Sequence, residues 1–568
     1  MMDETPETSD SDDVSESAES PTRQGLRATR DRVLRELREH YDESPVRLRE
    51  IVCLVLIIVL CDVTVYRGEG FAGYAALVAG VSLLLAVGVP SKRPRVAAWV
   101  FAVLVAGASA RLVWCGSGLS VAAGLFVMFG FAMSLVGRTP YMIHIAVFAS
   151  QTFSAGHRGL NHYWTSLARI KPPRRVRNVF ALILPVVALL VFGTLFIFAN
   201  PDLTNAVGAR FSDLFKMLGE WLQDLVPAPL EVVFCIGAGW IAIGLLRPIL
   251  PTAEDEGTSE ASTKSTDDFV APEPAPLFEA FRNTLIMVVG LFAVYLVFEF
   301  QTLWFRVFPE GFHYSGYAHE GAAWLTVALA LATAMLSLMF RGRVLNDPRL
   351  SKLRKLSWLW SIENVILALA VYNRLSIYVN FNGMTRMRTV GLLGMTSVLI
   401  GFLLVVRKIS KGHDFRWLVR RQLWTVAFAV YLYAVLPVDA WVMRYNVRQV
   451  LAGDLSPSVQ IAVHPTSAEG VLEMFPLTEC EDEAIREGVK ATLARYFQRS
   501  KHYHDWSSDR ARPLGRFPEP PGWTAHQLAD QQLLDRLTKE CPGWLEYEDT
   551  QKVDAAITRF REYTYQWF

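Results

Sequence analysis

Apolar stretches long enough to cross a bilayer recur eleven times along this chain, at 51–66, 71–89, 96–114, 119–137, 179–199, 230–250, 283–299, 321–340, 357–379, 390–406 and 422–438. At about 1.5 Å of rise per residue, a helix of this size spans ~30 Å of hydrocarbon, or nearly so with tilt. Lipid offers no partner to an unpaired amide, so a chain repeating this pattern must satisfy its backbone within helices. The expected fold is all-α: a polytopic membrane bundle of about eleven spans. Hydrophobic residues make up 52% of the 568 and charged residues only 20%, which argues against a soluble enzyme. A further apolar segment, 141–153, is short and holds His144 and Gln151, which suits an interfacial or re-entrant piece.

Lys and Arg resist translocation, so their distribution among short loops sets orientation. Loop 90–95 carries three, segment 138–178 seven, loop 341–356 six and loop 407–421 six; loops 67–70, 115–118, 200–229, 300–320 and 380–389 carry one, none, two, one and two. The alternation predicts a cytoplasmic N-terminus. Eleven crossings then leave everything after 438 on the far side of the cytoplasmic (inner) membrane.

Composition divides the chain further. Residues 1–22 hold eight carboxylates and no Lys or Arg, and read as a disordered acidic tail. Residues 23–50 invert that character, with Arg23, Arg27, Arg30, Arg32, Arg35 and Arg38 among Leu26, Val33, Leu34 and Leu37: a basic juxtamembrane helix that contacts anionic lipid. A six-span half (51–250) and a five-span half (278–438) flank an acidic, Pro/Ser/Thr-rich cytoplasmic linker at 251–277. Residues 439–568 form a polar, extracytoplasmic, mostly helical domain, in which Ile485, Val489 and Leu493, then Leu528, Leu533 and Leu537, then Ile557 and Phe560 recur at helical spacing.

Chemistry has little to stand on. The chain lacks GxxxxGK[ST], GxGxxG on a strand-to-helix turn, HExxH and CxxC, and its formal charge of +1 gives no basic excess for nucleic acid. No cofactor and no metal are expected; His502, His504 and Asp505, with His526 further on, read as a surface patch because zinc needs four convergent ligands. Cys53, Cys61 and Cys235 lie within apolar runs and Cys115 at a helix end, whereas Cys480 and Cys541 share the domain assigned to the oxidising side and are expected to form a disulfide.

Ionisable groups within spans are costly and usually face protein or water. Arg111, Asp62 and Glu299 lie near span ends, where Arg111 can snorkel. The ninth span is different. At 100° per residue, Glu363, Ala370, Arg374 and Tyr378 share one face with Asn364 and Asn373 beside it, a polar stripe in which Glu363 and Arg374 are too far apart to pair. Each is expected to face the interior and meet a partner on another helix.

The segment from Arg374 to Arg388 also carries Leu375, Tyr378, Gly383 and Thr385, with Arg386 between. That pattern, with Tyr317 to Gly321 upstream and Asp439 followed by Arg444, Tyr445 and Asn446 downstream, resembles a signature of bacterial integral-membrane proteins in a domain-of-unknown-function family, forty-one seventy-three. Asn382, Met384 and Met443 depart from it. The resemblance covers roughly 180 residues and implies a helical membrane protein with a helical tail; it brings no activity, substrate or cofactor. Within the motif, Asn382-Gly383 is a turn dipeptide, and Arg386 and Arg388 are placed to meet lipid headgroups or the following domain. Asp439 and Arg444 are expected near Tyr378 and Arg388.

The functional expectation is a non-enzymatic sensor, scaffold or assembly component whose outer domain binds a protein partner and whose spans meet the lipid bilayer. A transporter or channel using the Glu363 to Tyr378 stripe is the alternative, and an enzyme on lipid or cell-wall precursors the third.

Overall fold

The structure, a computed structural model, describes residues 46–90, 96–169, 229–248, 278–301, 314–340, 347–411, 413, 415–508, 522–544, 547 and 549–567. The acidic tail, most of the basic segment, the 251–277 linker and the 179–199 stretch lie outside these residues, as do the side chains of Tyr317, His319, Glu320, His502, His504 and Asp505. Among the described residues every regular element is helical.

In the first half, α1 (Leu48–Cys61) runs into one π turn (Asp62–Tyr66), followed by α2 (Phe71–Gly88), α3 (Val96–Cys115), α4 (Gly118–Leu135), α5 (Met142–Arg169) and α6 (Pro229–Leu246). The second half comprises α7 (Phe278–Glu299), α8 (Tyr314–Met339), α9 (Leu350–Asn382), α10 (Arg386–Lys411), α11 (Phe415–Val435) and α12 (Val438–Leu451). Ten of the eleven expected spans are thus helical, and 179–199 is the one not described. Among the described residues, six helices (α2, α3, α4, α7, α9 and α10) are individually long and apolar enough to cross a membrane, and α11 with α12 adds a seventh if that pair, bent by 67°, is one span. Of the other expected spans, α6 and α8 hold only shorter apolar stretches, Leu230–Leu246 and Trp324–Met339, α1 gives way to its π turn, and 179–199 lies outside the described residues. The 141–153 segment is the first part of a continuous 28-residue helix. The bend falls at Pro437, which has no N–H to donate and disfavours helix in the residue before it.

Burial within α9 has the polarity expected of a lipid-facing helix. Ile362 is 56% exposed and Leu369 52%, while Asn364 is fully buried, so one apolar face points outward and the face carrying Glu363, Asn364 and Arg374 points inward. Trp99 and Val103 on α3 and Leu291 and Val294 on α7 are likewise exposed.

Two ends of the bundle are distinguishable. At one, Arg247 donates to Glu50 (2.6 and 3.0 Å) and Tyr163 donates to the same carboxylate (2.6 Å), tying α6 and α5 to the start of α1. Lys408 at that end caps α8 through the carbonyls of Ser337 (3.2 Å) and Phe340 (3.1 Å). The halves are joined by α11, whose Tyr431 hydroxyl donates to the Leu104 carbonyl (2.6 Å) and whose Trp424 packs edge-on against Phe101.

The C-terminal helices α13 (Ser458–Val463), α14 (Ala468–Leu472), α15 (Glu483–Ser508), α16 (Leu528–Glu540) and α17 (Thr550–Thr564) gather at the other end. Ile485, Val489 and Leu493 of α15 share a core with Leu533 and Leu537 of α16 and Phe560 of α17, and Met443, Val447 and Val450 of α12 complete it. Cys480 and Cys541, the expected disulfide pair, lie in that same core, and the structure shows no bond between them.

Candidate functional site

The turn between α9 and α10 organises the motif residues. Gly383 has φ +81°, a conformation that disfavours any side chain, and a Cβ there would lie 2.6 Å from Asn446 Oδ1 and 2.8 Å from Pro457 Cβ. Asn446 uses that close approach to act as a surrogate peptide: its Oδ1 accepts from the Met384 N–H (2.6 Å) and its Nδ2 donates to the Met384 carbonyl (2.9 Å). Two motif segments 62 residues apart are thereby interlocked. Thr385 Oγ1 accepts from the Arg388 N–H (3.2 Å) and caps the start of α10. Arg388, only 6% exposed, turns back to donate to the Gly383 carbonyl and lays its guanidinium 3.7 Å over the Tyr378 ring.

Ion pairs surround this turn. Arg386 pairs in bidentate fashion with Asp439, whose carboxylate also accepts from the Ser467 N–H (3.0 Å). Arg444 pairs with Glu473 (2.5 and 3.0 Å), and Tyr445 donates to Asn380 (3.2 Å). Asp439 and Arg444 thus take Arg386 and Glu473, a different pairing from the expected approach to Tyr378 and Arg388. Deeper in the bundle, Arg374 is 4% exposed and donates to Glu299 (2.7 and 2.5 Å), which also accepts from Tyr295 (2.9 Å). Leu375 packs against Leu367, Val371 and Met395, and Asn373 is half-buried.

Glu363 and Arg374 are both buried, but their surroundings differ. Glu363 Oε2, Asn364 Oδ1 and Trp360 Nε1 have no hydrogen-bond partner among the described residues, although Asn364 Nδ2 donates to the Trp360 carbonyl (2.7 Å). The expected partner on another helix is present for Arg374 and is not seen for this oxygen of Glu363.

A cavity of about 970 Å³ opens beside the turn. Tyr378, Asn382, Arg386, Arg388, Asp439 and His464 are among the residues that line its polar part, and Leu375, Gly391, Gly394, Met395 and Val398 line its apolar part. Glu363 and Arg374 do not line it. On the neighbouring surface, Glu469 of α14 receives Arg111 (2.8 Å through Nη2) and Trp114 (3.0 Å), so Arg111 pairs across the bundle end instead of snorkelling. Gln527 accepts from the Gly116 N–H (2.7 Å) and donates to the Leu112 carbonyl (3.2 Å), and the Glu69 N–H donates to Thr524 (3.2 Å). Sequence reasoning did not single out Glu469 or His464, and it read Glu299 as a span-end group only; a carboxylate at a span end opposite an intramembrane Arg was the available signal.

This architecture defines an all-helical protein with several helices apolar enough for a membrane. The chain belongs to the family described as Domain of unknown function (DUF4153), whose match covers residues 75–464. Membership in a family without an assigned function is as the motifs implied; the family's number is 4153, and the match extends well upstream of the motif region. No curated protein and no solved structure matches the chain.

Proposed function

We propose that this protein is a non-enzymatic sensor, scaffold or assembly component of the cytoplasmic membrane, with its N-terminus inside and its C-terminal domain outside as a partner-binding module. The observation that carries this reading is the two-sided clamp on residues 467–469: Ser467 is held through Asp439 to Arg386 of the second half, and Glu469 is held by Arg111 and Trp114 of the first. A module seated on both halves can report a change in their relation, or impose one. The orientation is supported by helix parity, because the helix ends flanking the Lys- and Arg-rich loops lie at the end opposite this domain.

Transport along the α9 stripe is the second reading, favoured by the buried, unpartnered Glu363 Oε2. Both are tested with the full chain. Compartment-specific reporters at 568 and within 251–277 should read outside and inside, and purified protein in proteoliposomes should conduct no protons or cations. Flux that Glu363→Gln abolishes would replace the sensor reading with transport.

A further inference from the structure

The cavity beside the α9–α10 turn has two unlike ends. Its polar lining lies around the start of α10 and its apolar lining continues through Gly391, Gly394, Met395 and Val398. From Arg386 to Val398 the helix rises roughly 18 Å, so the change from polar to apolar follows the bundle axis. The volume, about 970 Å³, is near the top of the range of ~300–1,000 Å³ usual for small-molecule sites. Gly391 and Gly394 open the apolar end: among the described residues, a Cβ built on either meets nothing within 4 Å.

The polar end is electrostatically incomplete. Arg386 is answered by Asp439, but among the described residues no carboxylate pairs with Arg388, which has the Gly383 carbonyl and the Tyr378 ring for company. A buried cation facing partial charges alone retains much of its desolvation cost, and an anion would offset it. The fork of donors on a guanidinium suits phosphate oxygens. Asn382, 4% exposed and also on the cavity wall, has a buried Oδ1 that meets no donor among the described residues, so a ligand bearing hydroxyls would answer it.

We infer that this cavity is a binding site for an anionic phospholipid with a hydroxylated headgroup, its phosphate at Arg388 and an acyl chain along Gly391 and Gly394. The site is independent of whether the C-terminal domain receives a protein partner.

The test uses the full chain in a neutral detergent, with binding followed by native mass spectrometry and thermal shift. Phosphatidylglycerol is the probe; phosphatidylcholine and inorganic phosphate are the comparison arms. Phosphatidylglycerol should bind and stabilise; phosphatidylcholine, which keeps the phosphate but brings a choline cation toward Arg388 and no hydroxyl for Asn382, should bind roughly tenfold more weakly; and inorganic phosphate alone, which lacks the apolar contact, should give no shift. Arg388→Gln should weaken phosphatidylglycerol binding by roughly tenfold or more. Gly394→Leu fills space that no atom of the described residues occupies, so it should fold normally and yet block the acyl chain. Equal binding of phosphatidylcholine, equal protection by inorganic phosphate, or unchanged phosphatidylglycerol binding by a folded Gly394→Leu variant would each overturn the assignment.

Discussion

Arg374 and Arg388 are two buried guanidiniums on consecutive helices, and they differ in what answers them. Arg374 meets the Glu299 carboxylate, itself 1% exposed and braced by Tyr295, so the charges cancel within the bundle. Arg388 meets a carbonyl and an aromatic face, so its charge remains to be answered. The same residue type thus serves packing in one place and leaves a binding potential in the other.

The largest effect should come from unpairing the first site. Arg374→Leu or Glu299→Gln leaves a buried group without its counter-charge, at a cost of about 3–5 kcal/mol, and should lower the melting temperature in detergent sharply or abolish expression. The double variant Arg374→Leu with Glu299→Leu should recover most of that loss, because removing both charges removes their desolvation cost as well. In lipid-free detergent, Arg388→Gln should cost far less. Its removal also relieves an incompletely neutralised buried charge, so the two arginines should separate clearly in one thermal series. Equal losses at both would break the comparison.

Next in size is the turn that places Arg388. Gly383→Ala forces a side chain into a positive-φ backbone and against Asn446 and Pro457, a strain of roughly 1–3 kcal/mol. The loss should appear as weaker protection of 439–464 from hydrogen exchange, with the Arg374 pair unaffected. Loss spread evenly over the bundle would show that the turn does not act locally.

What the sequence disclosed follows from which interactions are local. Burial of Glu363, Asn364, Ala370 and Arg374 on one face of α9 was legible, because helical periodicity alone fixes which residues share a face. The Gly383 turn was legible because Asn382-Gly383 is itself a local turn signal. The partners were not: Glu299 lies 75 residues from Arg374 and Glu469 lies 358 residues from Arg111, and nothing in either apolar run sets the register between helices. Fewer helices among the described residues meet the length and hydropathy expected of a span where an apolar run is interrupted, as at α1, whose run is completed by a π turn. Asp439 and Arg444 were expected near Tyr378 and Arg388 but pair with Arg386 and Glu473, partners whose nearness no local pattern in the sequence sets.

A smaller effect should follow from loosening the clamp on the first half. Glu469→Gln weakens the contacts to Arg111 and Trp114 while keeping the side chain's shape. Charge-assisted hydrogen bonds contribute about 1.5–3 kcal/mol, and Gln retains part of that. The expected result is faster limited proteolysis or exchange in α14 and α16, with the packing of α7, α9 and α10 intact. Unchanged protection there would mean that Asp439 and Gln527 suffice to hold the domain.

The smallest effect concerns His464, on the cavity wall with Arg386 and Arg388 of α10 and Asp439 of α12. Partial burial of the ring, and then the charges of Arg388 and Arg386, hold its pKa below the ordinary imidazole value, even though much of its surface meets solvent. The unfolded chain therefore binds a proton near pH ~6.5 that the folded chain takes up only at lower pH. Between those two values the unfolded state carries more protons, so stability should fall as pH drops below about 6.5 and level off once the folded imidazole also titrates. Solvent and salt screen the two guanidiniums, which keeps the slope shallow. A bound anion should reduce it further, because it gives a protonated His464 an opposite charge to face. Melting temperatures of the full chain from pH 5 to 7.5, with and without phosphatidylglycerol, and with His464→Gln as the reference, measure each part. A slope that persists in His464→Gln would assign it to other groups, and a slope that phosphatidylglycerol leaves untouched would place the lipid's charge elsewhere than beside Arg388.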